Sequence, residues 1–460
     1  MKWTTRLAAL LALLAGAAAQ ADTPPNIVII FCDDLGYGDL GVFGHPTIQT
    51  PHLDRMAAEG QKWTSFYVAA PVCTPSRAGL LTGRLPVRSG MCSDTRRVLF
   101  PNSSGGIPQS EVLLPEALKA RGYATAAVGK WHLGHLPQYL PTNNGFDRYF
   151  GIPYSNDMDR DTAVEHSVAF GEPRSAYFNV PLLRGEEEIE RPADQTTITR
   201  RFTEESVQFI REHKAEPFFL YLAHSMPHVP LFASDAFADR SRRGLYGDVI
   251  EELDWSAGQI LQTLRDEGLA ERTLVVFTSD NGPWLTYKTH GGTAGLLRGG
   301  KGGTFDGGVR VPTIFWWPGT IAPGVVADMG STLDLFATAC ALAGAPIPGD
   351  RVMDSHDLGP ALRGEGPSPR DTMFFYRGTE IFAVRQGPFK AHLQTQGEYG
   401  DRERVQHDPP LLYHLEHDPA EQFDVAGEHP NAIARIREAL AAHNEALVRG
   451  EDQLAGRIGE

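Results

Sequence analysis

Short apolar runs of strand length alternate with amphipathic segments of helix length, and this alternation constrains the fold more than any other feature. Asn26 to Cys32 (NIVIIFC) and Thr273 to Ser279 (TLVVFTS) are the clearest runs. Tyr123 to Val128, Phe218 to Leu222 and Val311 to Trp317 are shorter ones. Continuous apolar runs read as strands buried on both faces, the pattern of parallel sheets. The helix candidates between them are Thr50 to Glu59, Val112 to Ala120, Ile198 to His213, Val249 to Glu267 and Thr332 to Leu342. Together they predict an α/β domain over residues 22–345, with a mostly parallel sheet flanked by helices. Ala345-Pro346-Ile347-Pro348-Gly349 reads as a linker. Beyond it, residues 346–460 carry strand-like pieces, Ile381 to Arg385 and Lys390 to Leu393, and a last helix, Ala432 to Val448. That order predicts a smaller α+β domain with an antiparallel sheet.

Ligands in open α/β sheets bind outside the carboxyl ends of the strands. Reactive side chains gather there repeatedly. The first strand ends in Asp33-Asp34 and the Val275 run ends in Asp280-Asn281. The Tyr123 run leads to Lys130-Trp131-His132, and the Phe218 run to His224 and His228. Asp33, Asp34, Asp280 and Asn281 form an all-oxygen set that suits a hard divalent cation, calcium first and magnesium second, and suits zinc poorly. Three carboxylates at two strand ends repel one another without such a cation. Taken singly, Asp-Leu-Gly and Asp-Asn-Gly are good turn sequences and need no metal. The two pairs together favour the metal.

Cys73-Thr74-Pro75-Ser76-Arg77 stands just ahead of a helix-like run, Ala78 to Thr82. A cysteine there would feel the positive end of the helix dipole, although a small buried thiol is the commoner fate. Arg77 lies within reach of the same point and can bind a tetrahedral oxyanion. Gly295 to Lys301 (GLLRGGK) imitates the start of a phosphate-binding loop, but Gly302 stands where that loop needs Ser or Thr, and no strand leads directly into it. Lys301 still makes sense as a cation reaching an anion pocket. His132 and His228 lie just past strand ends and are candidate proton carriers, whereas His224 reads as structural.

The formal charge of −15 opposes nucleic acid and anionic membranes as general partners. It also mildly opposes a long polyanionic substrate, so any anion must be held by a local positive cluster. Residues 1–21 carry Lys2 and Arg6, an apolar run from Leu7 to Ala19 and the small-residue site Ala19-Gln20-Ala21. They read as a secretory signal peptide, which predicts an exported protein with no membrane span. Four cysteines are too few for a disulfide framework at this length. Cys32 and Cys340 sit in apolar runs and read as core.

The chain resembles the type I sulfatases. The resemblance rests on Asn26 to Leu40 (NIVIIFCDDLGYGDL), Cys73 to Arg88 (CTPSRAGLLTGRLPVR), Gly129 to Gly134 (GKWHLG), Thr278 to Gly282 (TSDNG) and Gly300 to Arg310. It spans nearly all of the chain after residue 21. It implies an alkaline-phosphatase-like fold and hydrolysis of sulfate monoesters: aryl sulfates, with sulfated sugars and lipids as further classes. It implies that a maturation enzyme oxidises Cys73 to formylglycine, whose hydrate attacks sulfur. Asp33, Asp34, Asp280, Asn281 and the modified Cys73 would ligate calcium. Arg77 and Lys130 would hold the formylglycine and the sulfate, and His132 would touch the formylglycine hydroxyl. Ser155 would lie near the sulfate, and His228 and Lys301 would contact the sulfate and the leaving oxygen. Two rivals share these residues: a phosphonate monoester or phosphodiester hydrolase of the same superfamily, and a catalytically silent calcium-binding relative. The full set Arg77, Lys130, His132, His228 and Lys301 argues against the silent one.

Overall fold

The computed structural model describes residues 24–401 and 403–459. The expected signal peptide, 1–21, lies outside the described residues. Ten strands build the main sheet. They are β1 (Asn26–Cys32), β2 (Gln61–Tyr67), β3 (Ala124–Gly129), β4 (Arg148–Gly151), β5 (Leu182–Arg184), β6 (Glu187–Glu190), β7 (Phe218–Ala223), β8 (Thr273–Ser279), β9 (Thr313–Trp316) and β10 (Gly324–Ser331). Their spatial order is β10-β2-β9-β8-β1-β7-β3-β4-β5-β6. β8, β1, β7, β3 and β4 run parallel, with Ile29 opposite Tyr221 on one side and Val276 on the other. β1 is therefore central, and all seven of its residues are buried.

Alternation along β1 splits the core in two, because successive strand residues face opposite sides. Ile27, Ile29 and Phe31 join a cluster that includes Leu80 and Leu81 of the helix Cys73–Thr82 and Phe336 of the helix Asp334–Ala343. Val28, Ile30 and Cys32 join a second cluster with Phe209 of the helix Ile198–Glu212 and Leu253 of the helix Leu245–Asp266. A second sheet, β11 (Thr372–Arg377), β12 (Glu380–Gln386), β13 (Phe389–Gln396) and β14 (Arg404–His414), is antiparallel throughout. Ile433 and Ile436 of the helix Pro430–Glu445 cover Val384 and Leu412 on one of its faces. Met373, Phe375 and Ala383 enter the first cluster of the main sheet.

One expected parallel strand runs the other way. β9, from the run Val311 to Trp317, is antiparallel to both β8 and β2. A parallel return needs a crossover, usually a helix, back to the starting edge. The segment between β8 and β9 has no long α-helix, only the four-residue Asp306–Val309. The chain loops over the site edge and comes straight back down.

Candidate active site

The carboxyl ends of β1, β3, β7 and β8 bring the expected residues to one buried place. Neighbouring strand residues normally diverge. At Asp34 the backbone turns to φ 67°, a conformation uncommon outside glycine, so Asp33 and Asp34 both turn inward. Candidate ligand atoms of Asp33, Asp34, Cys73 and His228 all lie within 4.8 Å of one another. Asp280 joins this group through its Oδ1, which accepts the Asp34 backbone N–H at 3.1 Å. Asn281 joins through Nδ2, which donates to Asp34 Oδ1 at 2.7 Å.

Cys73 is the first residue of its helix, and Arg77 sits one turn along on the same face. Arg77 is fully buried. It donates from Nε and Nη2 to Asp280 Oδ2 at 3.0 and 2.8 Å and from Nη1 to the Lys130 carbonyl at 3.2 Å. Lys130 donates to Asp33 Oδ2 at 2.5 Å and to Ser155 Oγ at 3.1 Å. Lys301 donates to Asp34 Oδ2 at 2.8 Å, and its Nζ is 3.6 Å from Cys73 Sγ. Its ammonium also stands 4.4 Å from the centre of the Trp284 ring.

Charge and burial compete throughout. Burial pushes the Cys73 thiol up to about 12 against the pull of Lys130 and Lys301. Burial would also raise Asp33, yet Lys130 and Arg77 hold its carboxyl well below the usual range. Asp280 is raised to about 7 by burial and by the charge of Asp33, in spite of Arg77. Burial works against the charge of Lys301, but Asp34 more than offsets it and the ammonium is held more firmly than usual. Burial keeps His132 and His228 neutral, with neighbouring lysines reinforcing the effect.

The two histidine tautomers follow from their partners. His132 Nε2 faces the Leu99 carbonyl at 2.9 Å, so it carries the proton and donates. That leaves Nδ1 as a buried lone pair without a partner. His228 Nδ1 faces the Val229 carbonyl at 2.5 Å and must likewise donate. Its Nε2 lone pair points toward Ser155 Oγ at 3.5 Å. His224 lies apart, with Nε2 bonded to Ser256 Oγ at 3.1 Å.

Buried acceptors without partners test whether a cation fits. Asp33 Oδ1 and Asn281 Oδ1 are both buried without a hydrogen bond, and only Asp33 Oδ1 has a cation nearby, Arg77 Nη2 at 3.5 Å, an arrangement that is costly unless a further positive group meets them. The donor set is oxygen-rich and anionic, as a hard divalent cation requires. The site fits such an ion.

Three neighbours of the site escaped the sequence reading. Trp284 packs on His228 with ring centres 5.3 Å apart. It closely follows the β8 end, so its position in the chain could have flagged it. Tyr399 comes from the loop after β13 and packs on Trp284 at 5.2 Å, with no local sign of its role. Asp157 hydrogen-bonds Ser155 and feels both Lys130 and Lys301.

A buried cysteine at a helix start, two lysines, an arginine and a carboxylate cluster at strand ends make the kind of site that metal-assisted hydrolases use on esters of a tetrahedral oxyacid. The chain belongs to the sulfatase family. The sulfatase family model matches residues 25–345, and the model for the C-terminal region of aryl-sulfatase matches 368–457. Human arylsulfatase A is 44% identical, across 94% of this chain and 89% of that protein. Rat N-acetylgalactosamine-6-sulfatase is 41% identical, across 95% and 88%. Among solved structures, PsFucS1 sulfatase from Pseudoalteromonas sp. superposes with a TM-score of 0.83 at 28% identity, covering 95% of this chain and 93% of that one. The main sheet with its helices and the antiparallel second sheet are the alkaline-phosphatase-like sulfatase fold. The protein is a sulfuric ester hydrolase, and its family implies a metal and a formylglycine. No helix among the described residues is long and apolar enough to cross a membrane.

Proposed function

We propose that the chain hydrolyses sulfate monoesters of sugars, and of phenols as reporter substrates, using a formylglycine made from Cys73 and a calcium ion. Asp33, Asp34, Asp280 and Asn281, with the modified residue 73, would hold the ion. The observation that carries this reading is Lys301 Nζ, 3.6 Å from Cys73 Sγ and bonded to Asp34 on its other side. A cation tied to the carboxylate cluster thereby reaches the nucleophile position. A hydrated formylglycine supplies the attacking hydroxyl, and calcium supplies positive charge to the sulfuryl oxygens.

The surrounding residues divide the remaining work. Lys130 and Lys301 offer charge to the sulfate from two sides, and Ser155 adds a hydroxyl held by Lys130. Arg77 fixes Asp280 through two bonds. His132, with a bare Nδ1, takes the proton from the second hydroxyl at position 73 when sulfate is expelled. His228 presents a lone pair rather than a proton, so Lys301 is the donor to the leaving oxygen. Replacing Lys301 by Ala should therefore slow a sugar sulfate far more than 4-nitrophenyl sulfate, whose leaving group needs no proton. Sugar esters are favoured by two buried unpartnered atoms beside the site, Trp284 Nε1 and Asp157 Oδ1, one donor and one acceptor suited to hydroxyl groups.

The apolar run Leu7 to Ala19 supports export, and modification of Cys73 calls for a maturation enzyme as partner. Residues 22–345 would form the catalytic domain and 346–460 the C-terminal subdomain. Mass spectrometry of the peptide containing Cys73, on protein that turns over 4-nitrophenyl sulfate, tests the central step. Loss of sulfur and gain of an aldehyde is the expected result. An intact thiol in active protein overturns it. A phenylphosphonate ester turned over faster than 4-nitrophenyl sulfate would favour the phosphonate hydrolase.

A further inference from the structure

A cavity of about 330 Å3 lies between the nucleophile helix and the second sheet. Val72 and Pro75, which flank Cys73, line it together with Gly302, which follows Lys301. Arg97 and Arg377 also line it. The acids on its rim are already engaged. Glu380 pairs with Arg404, and Asp94 accepts the Thr379 N–H and hydroxyl at 2.8 and 2.6 Å. Arg377 donates from Nη1 to the Gly397 carbonyl at 2.6 Å, and Arg97 stacks its guanidinium 4.1 Å from the Tyr399 ring centre. Among the described residues neither arginine has a carboxylate at ion-pair distance. Burial first and Arg97 second push Arg377 down to about 10, with Tyr399 and Asp401 opposing.

Tyr399 stands between Arg97, on the cavity wall, and Lys301. Lys301 Nζ stands 5.9 Å from the ring centre that Arg97 covers at 4.1 Å. Arg97 is thus no farther from Lys301 than those two distances laid end to end, within reach of the ring next to a sulfated sugar. At an overall charge of −15, an anionic group of a substrate needs a local positive pair to hold it.

We propose that Arg97 and Arg377 bind a second anionic group of the substrate, a carboxylate or sulfate on the sugar adjoining the one that is hydrolysed. The substrate is then an acidic oligosaccharide rather than a singly charged ester. Two guanidiniums at the cavity wall suit planar or tetrahedral oxyanions through paired N–H donors. This rests on the sulfate-ester reading above.

The test uses a disaccharide carrying the scissile sulfate on one ring and a carboxylate on the other, against its neutral methyl ester. The full-length matured protein should prefer the acid by about tenfold in kcat/KM, through KM. Added salt should erode that preference. Arg97→Ala, at an exposed position, and Arg377→Gln should each reduce the preference at least about fivefold. Equal rates for acid and ester in the parent protein, or a preference undiminished in both variants, would overturn the proposal. Failure to cleave 4-nitrophenyl sulfate with formylglycine present would instead sink the sulfate-ester reading itself.

Discussion

Two clusters of fully buried charge lie in this molecule, and they are built differently. One is the strand-end cluster of Asp33, Asp34, Asp280, Arg77, Lys130 and Lys301. The other joins the two sheets. There Asp306 accepts from Lys390 at 2.7 Å and from the Tyr67 hydroxyl at 2.8 Å, while Glu421 accepts from His392 and from the Asp306 N–H, each at 2.6 Å. Lys390 also reaches Glu421 at 3.1 Å. Every carboxylate oxygen of the second cluster has a donor. The first leaves Asn281 Oδ1 bare and gives Asp33 Oδ1 no hydrogen bond, only the Arg77 guanidinium at 3.5 Å, while a bare histidine Nδ1 occurs in both, at His132 and at His392. A network that only holds sheets together can give every carboxylate oxygen a donor. A site that must receive an ion, a substrate and a proton keeps acceptors open and bears the desolvation cost until they arrive.

Breaking each cluster at its centre should give opposite results. On the proposed function, Cys73→Ala removes the precursor of the nucleophile and should reduce sulfate-ester turnover on the order of 10^4-fold or more, with little change in the urea unfolding midpoint. Lys390→Met strips the cation from Asp306 and Glu421, leaving buried carboxylates with too little positive charge. It should cost about 3–5 kcal/mol in urea unfolding, while protein that remains folded keeps most of its kcat. If Lys390→Met left stability intact and abolished turnover, the division between a holding cluster and a working cluster would fail.

A divalent cation sharpens the contrast further. Calcium at about a hundred times its dissociation constant should stabilise the folded protein by about 2.7 kcal/mol, read as a rise in Tm by calorimetry. Asp33→Asn should remove that increment, and Lys390→Met should retain it. An increment of full size in Asp33→Asn would place the ion elsewhere.

The contrast between the clusters also separates what the sequence reveals from what it hides. The working cluster sits at the ends of strands whose apolar runs are continuous, so β1 and β8 locate Asp33, Asp34, Asp280 and Asn281 almost by themselves. Lys130 and His132 follow from β3 in the same way. The holding cluster was invisible. Asp306, Lys390 and Glu421 are scattered over more than a hundred residues, and no local pattern links them. β2 and β10 carry no clear apolar run, because Gln61 and Lys62 in the one and Asp328 with Gly324 and Gly330 in the other blur the signal. β9 was found but given the wrong direction, since strand direction depends on the connection and not on the strand's own residues. The bare Nδ1 of His132 depends on the Leu99 carbonyl, a backbone group that no motif encodes.

The smallest expected effect concerns a buried polar contact that carries no charge. His443, on the helix Pro430–Glu445, meets the Tyr376 hydroxyl through Nε2 at 2.7 Å and stacks on Phe374 with ring centres 3.9 Å apart. Burial lowers it to about 4, and the charges of Arg88 and Arg449 outweigh that of Asp354. The folded state thus binds fewer protons than the unfolded chain, where a histidine titrates near 6.5. Stability from this contact is fully present above about pH 6.5 and is lost as pH falls toward about 4, below which the loss levels off. His443→Gln keeps a side chain that can hydrogen-bond Tyr376 and cannot titrate. Urea midpoints across that window should fall less steeply for the variant than for the parent. Parallel curves would mean that His443 contributes nothing to the acid sensitivity of the molecule.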